Sequence, residues 1–149
     1  MSQRLQSLMI AHGAIIFLLG LAAGVPFVWV VVSSIDPAQA AGIPGDVRAW
    51  RMAHLEGVLN GILLIAVAAG GAHLKLTPTA QQAVAWGLIV SGWCNIVASI
   101  LSPLTNGRGV QFTGLDWNGL TYILFMIGVV GVVVGMGTLC VTALQRRSD

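Results

Sequence analysis

Apolar residues run along this chain in four long blocks. Uncharged stretches occupy 14–32, 57–72, 83–101 and 120–144, each close to the ~20 residues that an α-helix needs to cross hydrocarbon. The pattern predicts transmembrane helices at about 8–32, 47–73, 78–101 and 118–144. The fold class is therefore all-α: an integral membrane four-helix bundle in which residues 1–149 form one domain. Pro26 falls late enough in the first helix to bend it without preventing a span.

The polar positions between the blocks predict the connections. "SSIDPAQAAGIPGD" is rich in turn formers. In "KLTPT", Thr77 is placed to cap the third helix and Pro78 to occupy its first turn, which makes helices two and three antiparallel neighbours. The third connection, "SPLTNGRGVQFTGLDWN", is long for a protein of this size and reads either as a lid or as a plain link.

Small residues add a helical period. In helix four, Thr121, Leu124, Gly128, Gly131, Gly135, Thr138 and Thr142 fall on one seam. Gly20 and Gly24, and Gly57 and Gly61, repeat the small-xxx-small spacing. Lipid gives helices little hydrophobic reason to associate, so close backbone approach along such seams is the usual means.

Composition agrees with this reading. The chain is 56% hydrophobic and 8% charged, with mean hydropathy +0.88, against about 25% charged residues in soluble domains. The helices leave no room for a soluble domain, and a net charge of +2 argues against nucleic acid as a partner. Arg4 precedes an apolar run and "AQA" at 38–40 has the form of a cleavage site, but that run is too long for a signal-peptide core. Cys94 and Cys140 lack metal-ligand spacing and read as packing residues. Trp29, Trp50, Trp86 and Trp117 lie near helix ends, where an indole suits the headgroup layer; Trp93, in mid-helix, does not fit that role. Arg4, Lys75, Arg146 and Arg147 stand on one side against Arg48, Arg51 and Arg108 on the other. The expected location is a bacterial inner membrane with both termini cytoplasmic.

Polar side chains inside the blocks are the candidates for chemistry, because each is costly in hydrocarbon and normally faces a partner or a cavity. They are His12, His54, Asn60 and Asn95. Ser91, Asn95, Ser99 and Ser102 share one face of helix three, either bonding a neighbouring helix or lining a cavity. In helix two, His54, Gly57 and Gly61 form one stripe, and Glu56 and Asn60 form another roughly 120–160° around. The first stripe offers bare backbone with a nitrogen ligand at its edge. A flat porphyrin would fit there, its iron held by one histidine; a packed, hydrogen-bonded histidine is the plainer alternative.

"AHG" at 11–13, "W-R-x-AH-xx-G-x-LNG" from Trp50 to Gly61, "GW-x-N" at 92–95 and "RG-x-x-F" from Arg108 to Phe112 together resemble styrene oxide isomerase, over about residues 10–144. The resemblance implies a trimeric four-helix membrane enzyme with haem b held between subunits. His54 matches the family's haem ligand and Asn60 its catalytic asparagine. The family's catalytic tyrosine falls where this chain has Ser99, which supplies no phenol. The "HLEG-x-x-NG" form, with Glu56, is also similar to hydroxylaminobenzene mutases.

The function expected from these readings is isomerisation of a small aromatic substrate, aryl epoxide to arylacetaldehyde, with ferric haem b as a Lewis acid. The expected site has His54 as metal ligand, Gly57 and Gly61 against the ring, and Asn60, Asn95 and Ser99 orienting substrate. Glu56 is expected to meet Arg48, Arg51 or the free nitrogen of an imidazole. The expected partners are the substrate, membrane lipid and two further copies in a homotrimer. On a straight helix Asn60 points away from a haem on His54, so it would serve the haem of a neighbouring subunit. Three alternatives stand beside this: a mutase acting on an arylhydroxylamine, a cytochrome ligated by His12 and His54, and a small membrane protein without haem.

Overall fold

The structure, a computed structural model, describes residues 1–40 and 42–145. Arg146 and Arg147, used above for orientation, lie outside the described residues. Four helices follow in order: α1 (Gln3–Ile35), α2 (Val47–Gly71), α3 (Pro78–Thr105) and α4 (Trp117–Gln145), with a single 3-10 turn at Pro37–Gln39 after α1. All four are long and apolar enough to cross a membrane.

Local chemistry sets the helix starts. Ser2, Asp46 and Thr77 each accept a hydrogen bond from the backbone N–H three residues on, capping α1, α2 and α3. Thr77 and Pro78 do what their spacing predicts. Two helices outrun the apolar pattern. α1 begins at Gln3 because its cap, not its hydropathy, sets the start. α3 continues through Pro103, which in the last turn removes only one backbone donor, and ends where Asn106 turns left-handed at φ 57°.

Packing is by close backbone approach. α1 lies along α2, α3 packs on both, and α4 contacts α3 alone. A Cβ on Gly20 would stand 2.5 Å from the Val58 nitrogen, and one on Gly61 would stand 2.7 Å from the Gly13 carbonyl oxygen. The α3–α4 seam repeats the device: a Cβ on Gly131 would come within 2.6 Å of the Gly87 carbonyl oxygen. Met9, Ile16, Leu64, Val84, Leu88 and Ile96 form the buried core. Leu18, Val25, Leu59, Val130 and Val133 cover the outside, as suits a surface solvated by lipid.

Two expectations change. Trp50 is not a belt residue: it is 7% exposed, packs beside Ala23, Val30 and Ala53, and donates its indole N–H to the Pro44 carbonyl at 2.7 Å. The α3–α4 connection is a hydrogen-bonded loop. The Asn118 side chain accepts from the Gly109 N–H at 2.8 Å and donates to the Gln111 carbonyl and to Thr113. Asp116 in turn accepts from the Thr113 hydroxyl and the Gly119 N–H. The "RG-x-x-F" residues have structural work here: Gly109 takes a left-handed φ of 61°, and Phe112 packs against Tyr122 with ring centres 6.2 Å apart.

Candidate functional site

His54 lies in the groove between α2 and α1. Its Nδ1 is 2.9 Å from the Gly20 carbonyl oxygen, and Phe27 stacks on the ring at 6.2 Å and 19°. A Cβ on Gly24 would come within 3.1 Å of Nδ1, so the glycine spacing of α1 makes room for the imidazole. A carbonyl only accepts, so Nδ1 carries a proton, and in the neutral ring Nε2 keeps its lone pair. Fixing the tautomer by an Nδ1–H bond to backbone is the usual way to prepare a histidine as a metal ligand. Among the described residues no three His, Cys, Asp or Glu gather to hold a free ion.

Gly57 and Gly61 do not supply the bare face expected of them. A Cβ on Gly57 would collide with the Gly20 backbone, and one on Gly61 would stand 2.6 Å from the Phe17 Cβ. Helix α1 covers that stripe, so the two glycines seat a helix rather than a ring.

Asn60 is on the other side of α2, which is a regular α-helix throughout. It is 9% exposed and packs near Gly92 of α3. Its Nδ2 donates to the Glu56 carbonyl and to the Glu56 carboxylate, each at 2.8 Å. Glu56 thus takes Asn60 as its partner in place of Arg48, Arg51 or an imidazole. His54 and Asn60 of one chain are not brought together.

Asn60 packs against α3, the helix that carries Asn95 and Ser99. Gly92 faces α2, while Asn95 lies against Gly128 of α4. At ~100° per residue, Ser99 falls between those two directions on α3. It lies ~10 Å of helical rise beyond Gly92 and is fully buried. The Ser99 and Ser91 hydroxyls are buried without a hydrogen-bond partner, Ser91 at the α3–α4 seam beside Gly131. Such a group carries a desolvation cost that a bound polar atom would relieve.

His12 is separate again. The Trp93 indole N–H donates to its Nδ1 at 3.0 Å, which explains a tryptophan in mid-helix and, in the neutral ring, puts the proton on Nε2. Gly20 and Gly24, the α1 neighbours of His54, are ~12–18 Å of helical rise beyond His12. One iron does not span that gap, so the two-histidine cytochrome loses its geometric basis. The tie between His12 and Trp93 joins residues 81 apart and has no signature in the local sequence. Asp116, in the connecting loop, has its carboxyl held below the usual range by the Gly119 N–H and then by the Thr113 hydroxyl.

A search of curated proteins finds no significant match to the chain. A family model described as styrene oxide isomerase matches residues 5–144, nearly the whole length, and the chain belongs to that family.

Proposed function

We propose that this member of the styrene oxide isomerase family binds haem b through His54 Nε2 and rearranges a small aryl epoxide to the arylacetaldehyde. The observation that carries the proposal is the Nδ1–H bond to the Gly20 carbonyl, which leaves the outer nitrogen free to ligate. Bound there, ferric haem would supply Lewis acidity toward the epoxide oxygen.

The protein's own part is placement and exclusion of water. The rearrangement breaks a C–O bond, moves a hydride to the neighbouring carbon and forms C=O, with no cosubstrate. Asn60 keeps its amide oxygen as an acceptor while Glu56 holds its nitrogen. Ser99 has an unused hydroxyl, and Asn95 sits between them and α4. These three are the residues proposed to orient substrate. The apolar walls of the helices keep water from an electron-poor carbon. Because His54 faces α1 and Asn60 faces α3, the proposal sets the His54 groove of one subunit against the Asn60 face of the next in a homotrimer.

The resemblance of the "HLEG-x-x-NG" segment, with Glu56 and Asn60, supports a second reading, a mutase that moves a hydroxyl from nitrogen to the ring of an arylhydroxylamine. Purified protein and its His54→Ala variant, assayed on both substrate classes and by haem absorption, decide the matter. The expected result is epoxide turnover that disappears together with the haem spectrum in the variant. Full haem content and full turnover in His54→Ala would refute the ligand, and turnover of the hydroxylamine alone would select the mutase.

A further inference from the structure

Where α2 begins and α3 ends, a cleft of about 410 Å³ opens between them, lined by Asp46, Arg48, Met52, Ser102, Asn106 and Arg108 among others. None of His54, Asn60, Asn95 and Ser99 lines it. Arg48 and Arg108 reach it from different elements, the first turn of α2 and the α3–α4 loop. Both are exposed, and within the described residues neither is paired. Asp46, the one carboxylate of the lining, is already engaged, accepting from the Ala49 N–H at 2.7 Å as the cap of α2. Two guanidiniums and this carboxylate leave one net positive charge, and the start of a 25-residue helix adds partial positive charge to the same rim. The cleft is built for a singly charged oxyanion.

The loop that carries Arg108 indicates where this anion comes from. Val110, Phe112 and Leu115 are 73%, 56% and 102% exposed, and Trp117 at the start of α4 is 60% exposed. Large apolar side chains at a helix end, next to an indole, fit the boundary between acyl chains and headgroups. The mouth of the cleft therefore opens into the phosphate layer of the bilayer. We infer that Arg48 and Arg108 clamp the phosphodiester of an anionic phospholipid, a site whose net charge matches one phosphatidylglycerol headgroup and not a zwitterionic one.

Native mass spectrometry of the intact protein in micelles tests this, with phosphatidylglycerol and phosphatidylcholine of the same acyl chains offered at equal concentration. The wild type should hold one phosphatidylglycerol about tenfold more strongly. Arg48→Gln and Arg108→Gln should each lower that preference about five- to tenfold, while Arg4→Gln, at the opposite end of the helices, should keep it. Both substituted residues are exposed, so the variants should fold, and unchanged thermal unfolding checks that they do. Equal binding of the two lipids by the wild type, or an undiminished preference in the Arg48→Gln/Arg108→Gln double variant, overturns the inference. Displacement of the lipid by millimolar inorganic phosphate overturns the lipid source and assigns the clamp to free phosphate.

Discussion

Replacing Gly20 by alanine tests the contact on which both the fold and the ligand depend. The new Cβ would stand 2.5 Å from the Val58 nitrogen, 2.7 Å from the Gly57 carbonyl carbon and 2.8 Å from the Gly57 Cα. Atoms of this kind rest ~3.5–4 Å apart, and both sides of the contact are backbone, so α1 and α2 must separate by about 1 Å. That would lengthen the His54–Gly20 hydrogen bond from 2.9 Å to roughly 3.9 Å, beyond bonding range. Overpacking costs about 1–3 kcal/mol and the lost bond about 0.5–1.5 kcal/mol. The helix propensity of alanine offsets about 1 kcal/mol, leaving a net destabilisation of about 0.5–3.5 kcal/mol. Gly137→Ala is the matched control, since a Cβ there meets nothing within 4 Å; it should be neutral or stabilising by up to ~1 kcal/mol. Tryptophan fluorescence during unfolding from mixed micelles by a denaturing detergent gives both values. Equal stability of the two variants would refute the reasoning, and haem retention, expected to fall only in Gly20→Ala, reads the effect at His54.

Removing one partner of the Glu56–Asn60 pair by Asn60→Ala leaves a carboxylate unmatched within hydrocarbon, and a double-mutant cycle with Glu56→Gln should give a coupling of about 1–2 kcal/mol; a coupling near zero would mean that the bond contributes nothing. Ser99→Ala removes a hydroxyl that has no partner, so stability should stay level or rise by up to about 1 kcal/mol while epoxide turnover falls; a stability loss without a turnover loss would remove Ser99 from the site. Asp116 has a lowered pKa from its bonds to Gly119 and Thr113, so its support of the α3–α4 loop is complete above the ordinary value of 3.8 and is lost as pH falls through the lower folded value. Fluorescence of the adjacent Trp117 should report a transition below that pH, and Asp116→Asn should abolish it; an unaltered transition in the variant would assign it elsewhere.

The spans were legible because hydropathy and capping agree: four apolar blocks give four helices, and Thr77 with Pro78 marks the start of α3. The helix ends were less so, since hydropathy does not register Ser2 as a cap or a proline tolerated in a last turn. Among site residues, sequence separated His54 from Asn60 by angle alone, and the regular α2 keeps them apart. It misread Gly57 and Gly61, because a stripe of glycines looks the same whether a ring or a helix will lie on it. The deciding signal was in α1, where Gly13, Gly20 and Gly24 form the complementary stripe. The partners of His12, Glu56 and Trp50 depend on which helices meet and at what height. A local pattern does not encode that.

That α4 leans on α3 alone has a consequence for biogenesis. By the time Thr105 has left the ribosome, α1, α2 and α3 possess every contact they make with one another, so a three-span intermediate can settle before the last segment enters the translocon. The final segment then docks on a finished surface through Gly128, Gly131 and Gly135, and its late arrival leaves the earlier packing undisturbed. A nascent chain halted after Thr105 would thus already display the histidine groove in its mature form.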